Sequence, residues 1–122
     1  MSALNKEDIL EADDTADLRE VEVPEWGGSV YVGEMTAAER DRLEDDTYDL
    51  DERGQMSGLS MVGYRARVLA LTLRDEDGER VFDYEDWRKI ADKAAKPVDR
   101  VFEVATEING LSEEDIEETV KK

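Results

Sequence analysis

Apolar and polar positions first fall into a regular pattern at Leu18. Arg19, Val21 and Val23 alternate with Glu20 and Glu22, the period of two expected of a half-exposed strand. Pro24 ends the run, and Ser29 to Glu34 (SVYVGE) forms a second β-rich stretch. Between them lies PEWGG, whose Gly27 and Gly28 are free to take positive φ. The pattern predicts a β-hairpin over 18–34 with a slightly long loop.

Beyond the hairpin the period becomes helical. Thr36-Ala-Ala-Glu39 has the form of a capping box and predicts a helix to about Asp49, with Leu43, Thr47 and Leu50 on one side. Asp51 to Gly58 (DERGQMSG) reads as a loop. The run from Leu59 to Leu73 is the most apolar in the chain. It fits a buried helix of about four turns, or a short helix followed by a strand VLALTL that turns through DEDG onto RVFDY. Its length and alanines favour the helix. Asp83, with Asp86 three residues on, starts another helix whose face is Trp87, Ile90, Ala91 and Ala94. Pro97 opens the next at its first position, with Val98, Val101, Phe102, Ala105 and Ile108 on one face. Asn109-Gly110 stops it, and Leu111 can fold back on that end. These two helices are expected to form an αα-hairpin against the 59–73 helix. Ser112 and Asp115 cap a last short helix over 113–120. Ahead of the hairpin, one helical turn after Asn5 is possible within a flexible acidic arm, 1–16. The fold class is thus α+β: an N-terminal β-hairpin followed by a mainly α-helical bundle of about five helices, with one domain over 17–122.

Charge changes this picture most. Of 122 residues, 41% are charged and 39% hydrophobic, and the net charge is −18. That charged fraction is far above the roughly 25% of ordinary domains. The acidity sits in the N-terminal half: nine acids against two bases over 1–25, and nine against three over 34–55. Such a surface repels phosphate and anionic lipid, which argues against nucleic-acid and membrane partners. It favours solubility and basic partners. No apolar run reaches the ~18 residues of a membrane span, and the acidic start does not read as a secretory leader. A soluble cytoplasmic protein is expected.

The chain contains neither cysteine nor histidine. That excludes disulfides, thiolate or imidazole metal sites, cysteine nucleophiles and Ser–His triads. No glycine-rich phosphate loop with a lysine is present, and nothing singles out one carboxylate pair for acid–base work. Asp49-Leu-Asp51-Glu-Arg53-Gly54 begins like an EF-hand, but Arg53 stands in a ligand position and Ser60 where the bidentate glutamate belongs. Asp75-Glu-Asp77-Gly78 has its glycine too early. Both read as solvated acidic loops, and no metal, cofactor or catalytic residue is expected.

What remains are candidates for contact. Trp26 is costly to leave in water yet lies in a turn. It either folds back onto the core or anchors a partner. With it go Gly27, Gly28 and Tyr31. Arg65 and Arg67 stand beside the most apolar run in a sea of acids, either as internal salt bridges or as contacts to an acidic partner.

The succession VEVPEWGGSVYVGEMTAAERDRLE, RARVLALTLRDEDGERVFDYEDW and VDRVFEVATEINGLSEEDIEE resembles the tail assembly chaperones of long-tailed bacteriophages and prophages, over roughly 18–120. VPEWGG, VYV, EMTAAERD and the final FEVA and INGLS are the specific parts. The resemblance implies a non-enzymatic protein that binds the tape measure protein, keeps it soluble and helps tail tube protein polymerise around it. It implies a role in the host bacterial cytoplasm and absence from the finished virion. It also implies a longer form made by ribosomal frameshifting, with which the terminal Lys121-Lys122 is compatible. It carries over no catalytic residue and sets no oligomeric state. This chain departs from the pattern in being unusually acidic around Glu44–Glu52. From charge alone, an acidic DNA mimic that inhibits a DNA-binding protein is the competing reading; it requires carboxylates spaced like duplex phosphates.

Overall fold

The computed structural model of the protein describes residues 3–50, 53, 56–59 and 61–111. The predicted helix over 113–120 with its Ser112/Asp115 cap lies outside the described residues, as do positions 51, 52, 54 and 55 of the predicted loop. A short exposed helix, α1 (Lys6–Glu11), comes first. It is capped by Asn5, whose Oδ1 accepts from Asp8 N–H at 2.8 Å while the Asp8 carboxylate accepts from Asn5 N–H at 3.1 Å.

The hairpin follows as predicted. Strands β1 (Leu18–Val23) and β2 (Gly28–Gly33) pair antiparallel from Leu18↔Gly33 to Val23↔Gly28. Pro24–Trp26 form one 3₁₀ turn, closed by Gly27 at φ 79°. Gly27 alone uses the freedom expected of both glycines; Gly28 already belongs to the strand. Alternation puts Val21, Val23, Val30 and Val32 on the core face, and Glu20, Glu22 and Tyr31 on the other.

Helix α2 (Ala37–Thr47) starts at the predicted capping box. Thr36 N–H donates to Glu39 Oε1 at 2.8 Å, and Glu39 N–H to Thr36 Oγ1 at 3.2 Å. It ends two residues before the predicted Asp49, with buried Thr47 donating its hydroxyl to the Leu43 carbonyl at 2.7 Å. The backbone then enters strand β3 (Tyr48–Leu50), paired with β4 (Met56–Leu59). This second small hairpin departs from the sequence pattern, which puts Tyr48 and Asp49 at the end of the preceding helix, Met56–Gly58 in a loop and Leu59 at the start of the next helix.

Helix α3 (Tyr64–Thr72) is the centre of the core: Tyr64, Ala66, Val68, Leu69, Ala70, Leu71 and Thr72 are all buried. It is helical, as favoured, but shorter than four turns. Gly63 at φ 73° ends it on the N-terminal side, where β4 occupies part of the predicted helix. The alternative strand reading also holds in miniature, because Leu73–Arg74 is a third sheet strand, β5, antiparallel to β2. DEDG does make the turn: the Asp75 carboxylate accepts from Asp77 N–H at 2.9 Å and Glu79 N–H at 3.0 Å, and Arg74 bridges back to Arg80.

Beyond Asp83 a 3₁₀ turn (Tyr84–Asp86) leads into α4 (Trp87–Ala91), then α5 (Ala95–Asn109). Of the predicted α4 face, Ile90 is buried and Trp87 partly so, but Ala91 and Ala94 are exposed. The helix ends at Ala91, and Ala94 caps the next one. Pro97 is the third residue of α5 rather than the first; it still lies in the first turn, where its missing N–H costs no hydrogen bond. Both helices pack on α3, as expected, but α4 and α5 make little contact with each other, so the expected αα-hairpin does not form. At the far end the predicted stop is present: Leu111 N–H reaches back to the Thr106 carbonyl at 3.0 Å and Leu111 is buried.

Candidate functional site

The turn that carries Trp26 is fixed from outside the hairpin. Arg100 of α5 grips the Glu25 carboxylate with both nitrogens, Nη1 to Oε1 at 2.6 Å and Nη2 to Oε2 at 2.8 Å, the two-pronged geometry that suits guanidinium and carboxylate. This bond is the main reason the Glu25 carboxyl is held down at about 2 instead of 4.5. A depressed carboxyl stabilises the fold at pH values above its unfolded pKa and ceases to do so as pH falls through its folded one. Glu25→Gln should therefore melt below wild type at neutral pH. The gap should close as pH is lowered from 4.5 to about 2, as read by circular dichroism melts of both proteins.

Held this way, Trp26 is half-buried and packs against the core. Its indole forms one wall of an open apolar groove of ≈ 350 Å³ at the hairpin's turn end. Val30 and Leu73 of the sheet, Val81 and Phe82 from the segment after β5, and Ile90 of α4 supply the other walls. Val81, at 52% exposure, is the most open of these apolar groups. Every charged residue that lines the groove is a cation: Arg74, Lys89 and Lys93. Arg74 is buried and turned away to main-chain oxygens, with Nη1 donating to the Leu71 carbonyl at 2.9 Å and Nη2 to that of Glu34 at 2.7 Å. Burial pushes its pKa below the ordinary arginine value. Lys89 pairs with Asp86 at 3.2 Å. Lys93 makes no ion pair among the described residues.

The other candidates lie elsewhere. Gly27 and Gly28 share the Trp26 turn, but Tyr31 is half-buried on the opposite face of β2, across from Glu20 and Arg74. Arg65 and Arg67 belong to α3. Arg65 forms the expected internal salt bridge, to Asp99 at 3.0 Å, and lies over the Phe102 ring. Arg67 forms none among the described residues. Its Nη1 donates to the Val62 carbonyl at 2.7 Å, its guanidinium lies 4.3 Å over Trp87, and its buried Nε has no hydrogen-bond partner among the described residues. The six residues therefore do not converge on one site. Sequence reasoning missed Val81, Phe82, Ile90, Lys89 and Lys93 as neighbours of Trp26. The available signal was two lysines four positions apart, flanking Ile90 in an acidic chain.

Tyr84 and Arg42 are held in structural contacts away from the groove. The Tyr84 hydroxyl donates to Asp46, and burial followed by that carboxylate raises its pKa, which keeps the phenol protonated. Arg42 lies 4.3 Å over the Tyr84 ring and pairs with Glu85 at 2.7 Å. Among the described residues no group of three or more acids could hold a metal ion, and no helix is long and apolar enough to cross a membrane.

Fold and groove together define a small, strongly acidic α+β protein that presents an apolar, cation-edged groove beside its first hairpin. The chain belongs to the phage tail assembly chaperone family, whose model matches residues 5–122. Membership places its partners among phage tail proteins. No curated protein and no solved structure matches the chain.

Proposed function

We propose that the protein is a non-enzymatic chaperone that binds the phage tape measure protein in the host cytoplasm, keeps it soluble and assists tail tube polymerisation without remaining in the virion. The family match across residues 5–122 carries this reading. Its physical sense is transient cover: apolar groups mask hydrophobic stripes of a long client, while a net charge of −18 keeps the complex dispersed. Contact to the tail tube protein is assigned to a longer, frameshifted form. Residues 17–122 act as the chaperone domain and 1–16 as an acidic arm. Trp26, Gly27, Gly28, Tyr31, Arg65 and Arg67 are the proposed contact residues.

The test is co-expression with the tape measure protein from the same gene neighbourhood. The client should move from the insoluble to the soluble fraction, and a client equally soluble alone ends the proposal. Trp26→Ala removes a half-buried side chain and should cost about 1–2 kcal/mol, leaving the chain folded while the soluble client falls. A folded variant that keeps the client as soluble as wild type does removes Trp26 from the contact surface.

A further inference from the structure

We infer that the groove walled by Trp26 and Val81 is the docking site for an amphipathic helix of the client, one whose apolar stripe is flanked by carboxylates that meet Lys89 and Lys93. The inference rests on the chaperone reading and names its surface and ligand chemistry. Three observations carry it. The walls are apolar and Val81 stands 52% exposed, so the groove offers dry area to side chains projecting at i, i+3 and i+4. Acids outnumber bases 34 to 16 in the whole chain, yet no acid lines this groove. Lys93 has no ion pair among the described residues, and it lies four positions after Lys89, just past the end of α4 at Ala91, so both lysines edge the groove where carboxylates of an incoming helix can meet them.

Charge complementarity also fixes the direction of discrimination. Elsewhere the acidic surface attracts bases; at the groove a basic helix would face Lys89 and Lys93 and an acidic-flanked one would be favoured. The protein's own α1 has related chemistry, with exposed Leu4, Ile9 and Leu10 beside Glu7, Asp8 and Glu11. A second copy delivering that helix would bring the whole −18 charge with it, whereas a client helix brings only its own few carboxylates.

The probe is a helical peptide of about 18 residues with leucines at i, i+3, i+4 and i+7 and flanking glutamates, compared with its lysine-flanked counterpart. Affinity is read by titration of the full-length chain. Wild type should prefer the glutamate peptide by about tenfold. Val81→Asp, an exposed rim change, should weaken that peptide by about tenfold or more. Lys93→Glu, remote from the core, should abolish the preference for glutamate even if Val81→Asp fails to fold. Equal affinity for the two peptides, or a preference that survives Lys93→Glu, overturns the inference. So does self-association that disappears on deleting residues 3–11, which would give the groove to a second copy. Both variants are also co-expressed with the tape measure protein. If wild type rescues the client and both folded variants rescue it equally well, the groove assignment fails and the chaperone reading stands. If wild type rescues nothing, the chaperone reading fails, and with it the client as occupant.

Discussion

Gly63→Ala should destabilise the protein by about 3 kcal/mol, from roughly 1 kcal/mol of left-handed backbone strain and the rest from overpacking. Gly63 has φ 73°, and a Cβ built there would stand 2.5 Å from Trp87 Cζ3 and 2.9 Å from Cε3. The indole cannot simply step aside, because the Arg67 guanidinium lies 4.3 Å over its face and that of Arg88 5.3 Å. Urea denaturation of Gly63→Ala measures the total. Repeating the change on a Trp87→Leu background should recover most of it, leaving about 1 kcal/mol for the backbone alone. Equal losses on both backgrounds would show that the ring contact contributes nothing.

Asn109→Ala is expected to lose about 2–3 kcal/mol, a fall of roughly 10 °C in Tm for a domain of this size. One amide holds three main-chain groups. Oδ1 accepts from Met35 N–H at 2.8 Å, and Nδ2 donates to the carbonyls of Ala105 at 3.0 Å and Gly33 at 3.3 Å. Arg40 adds Nη1 to the Asn109 carbonyl at 3.2 Å. The end of α5 is thereby tied to the junction of β2 and α2, and truncation strands part-buried polar groups whose desolvation is no longer compensated. Asn109→Asp keeps the acceptor for Met35 but sets a carboxylate oxygen against the Gly33 and Ala105 carbonyls at the C-terminal end of α5, so at neutral pH it should be no more stable than alanine. Thermal melts of the three proteins give the order.

These two sites show how far the sequence could be read. Asn109-Gly110 was legible as a helix stop because the signal is local: a glycine after the last periodic residue, and Leu111 to fold back. That the Asn109 side chain also fastens Met35, 74 residues away, has no local signal. Gly63 falls in the same category, since its constraint comes from Trp87, 24 positions on. The hairpin and the Thr36–Glu39 box were readable because alternation and capping act over two to four residues. The second hairpin was not, because MSGL (56–59) lacks alternation. Leu59–Leu73 misled on length because an apolar run does not by itself mark where a helix begins: Met61 and Val62 are apolar yet exposed, ahead of Gly63. At the candidate site the chain announced Trp26 but not its surroundings, which arrive from β5, the segment after it, and α4.

The Glu39 carboxylate closes the box at the start of α2 and also receives Arg80, whose Nη2 stands 2.6 Å from Oε1 while Nη1 lies against both Oε2 and the Leu71 carbonyl. One acid therefore serves the first turn of a helix and the far side of the turn after β5. Neither can fray while leaving the other fully satisfied, so local opening is shared. The first turn of α2 and the 75–80 turn form a single cooperative unit, and amide protons in the two segments should exchange with a common opening free energy although some forty residues of chain separate them.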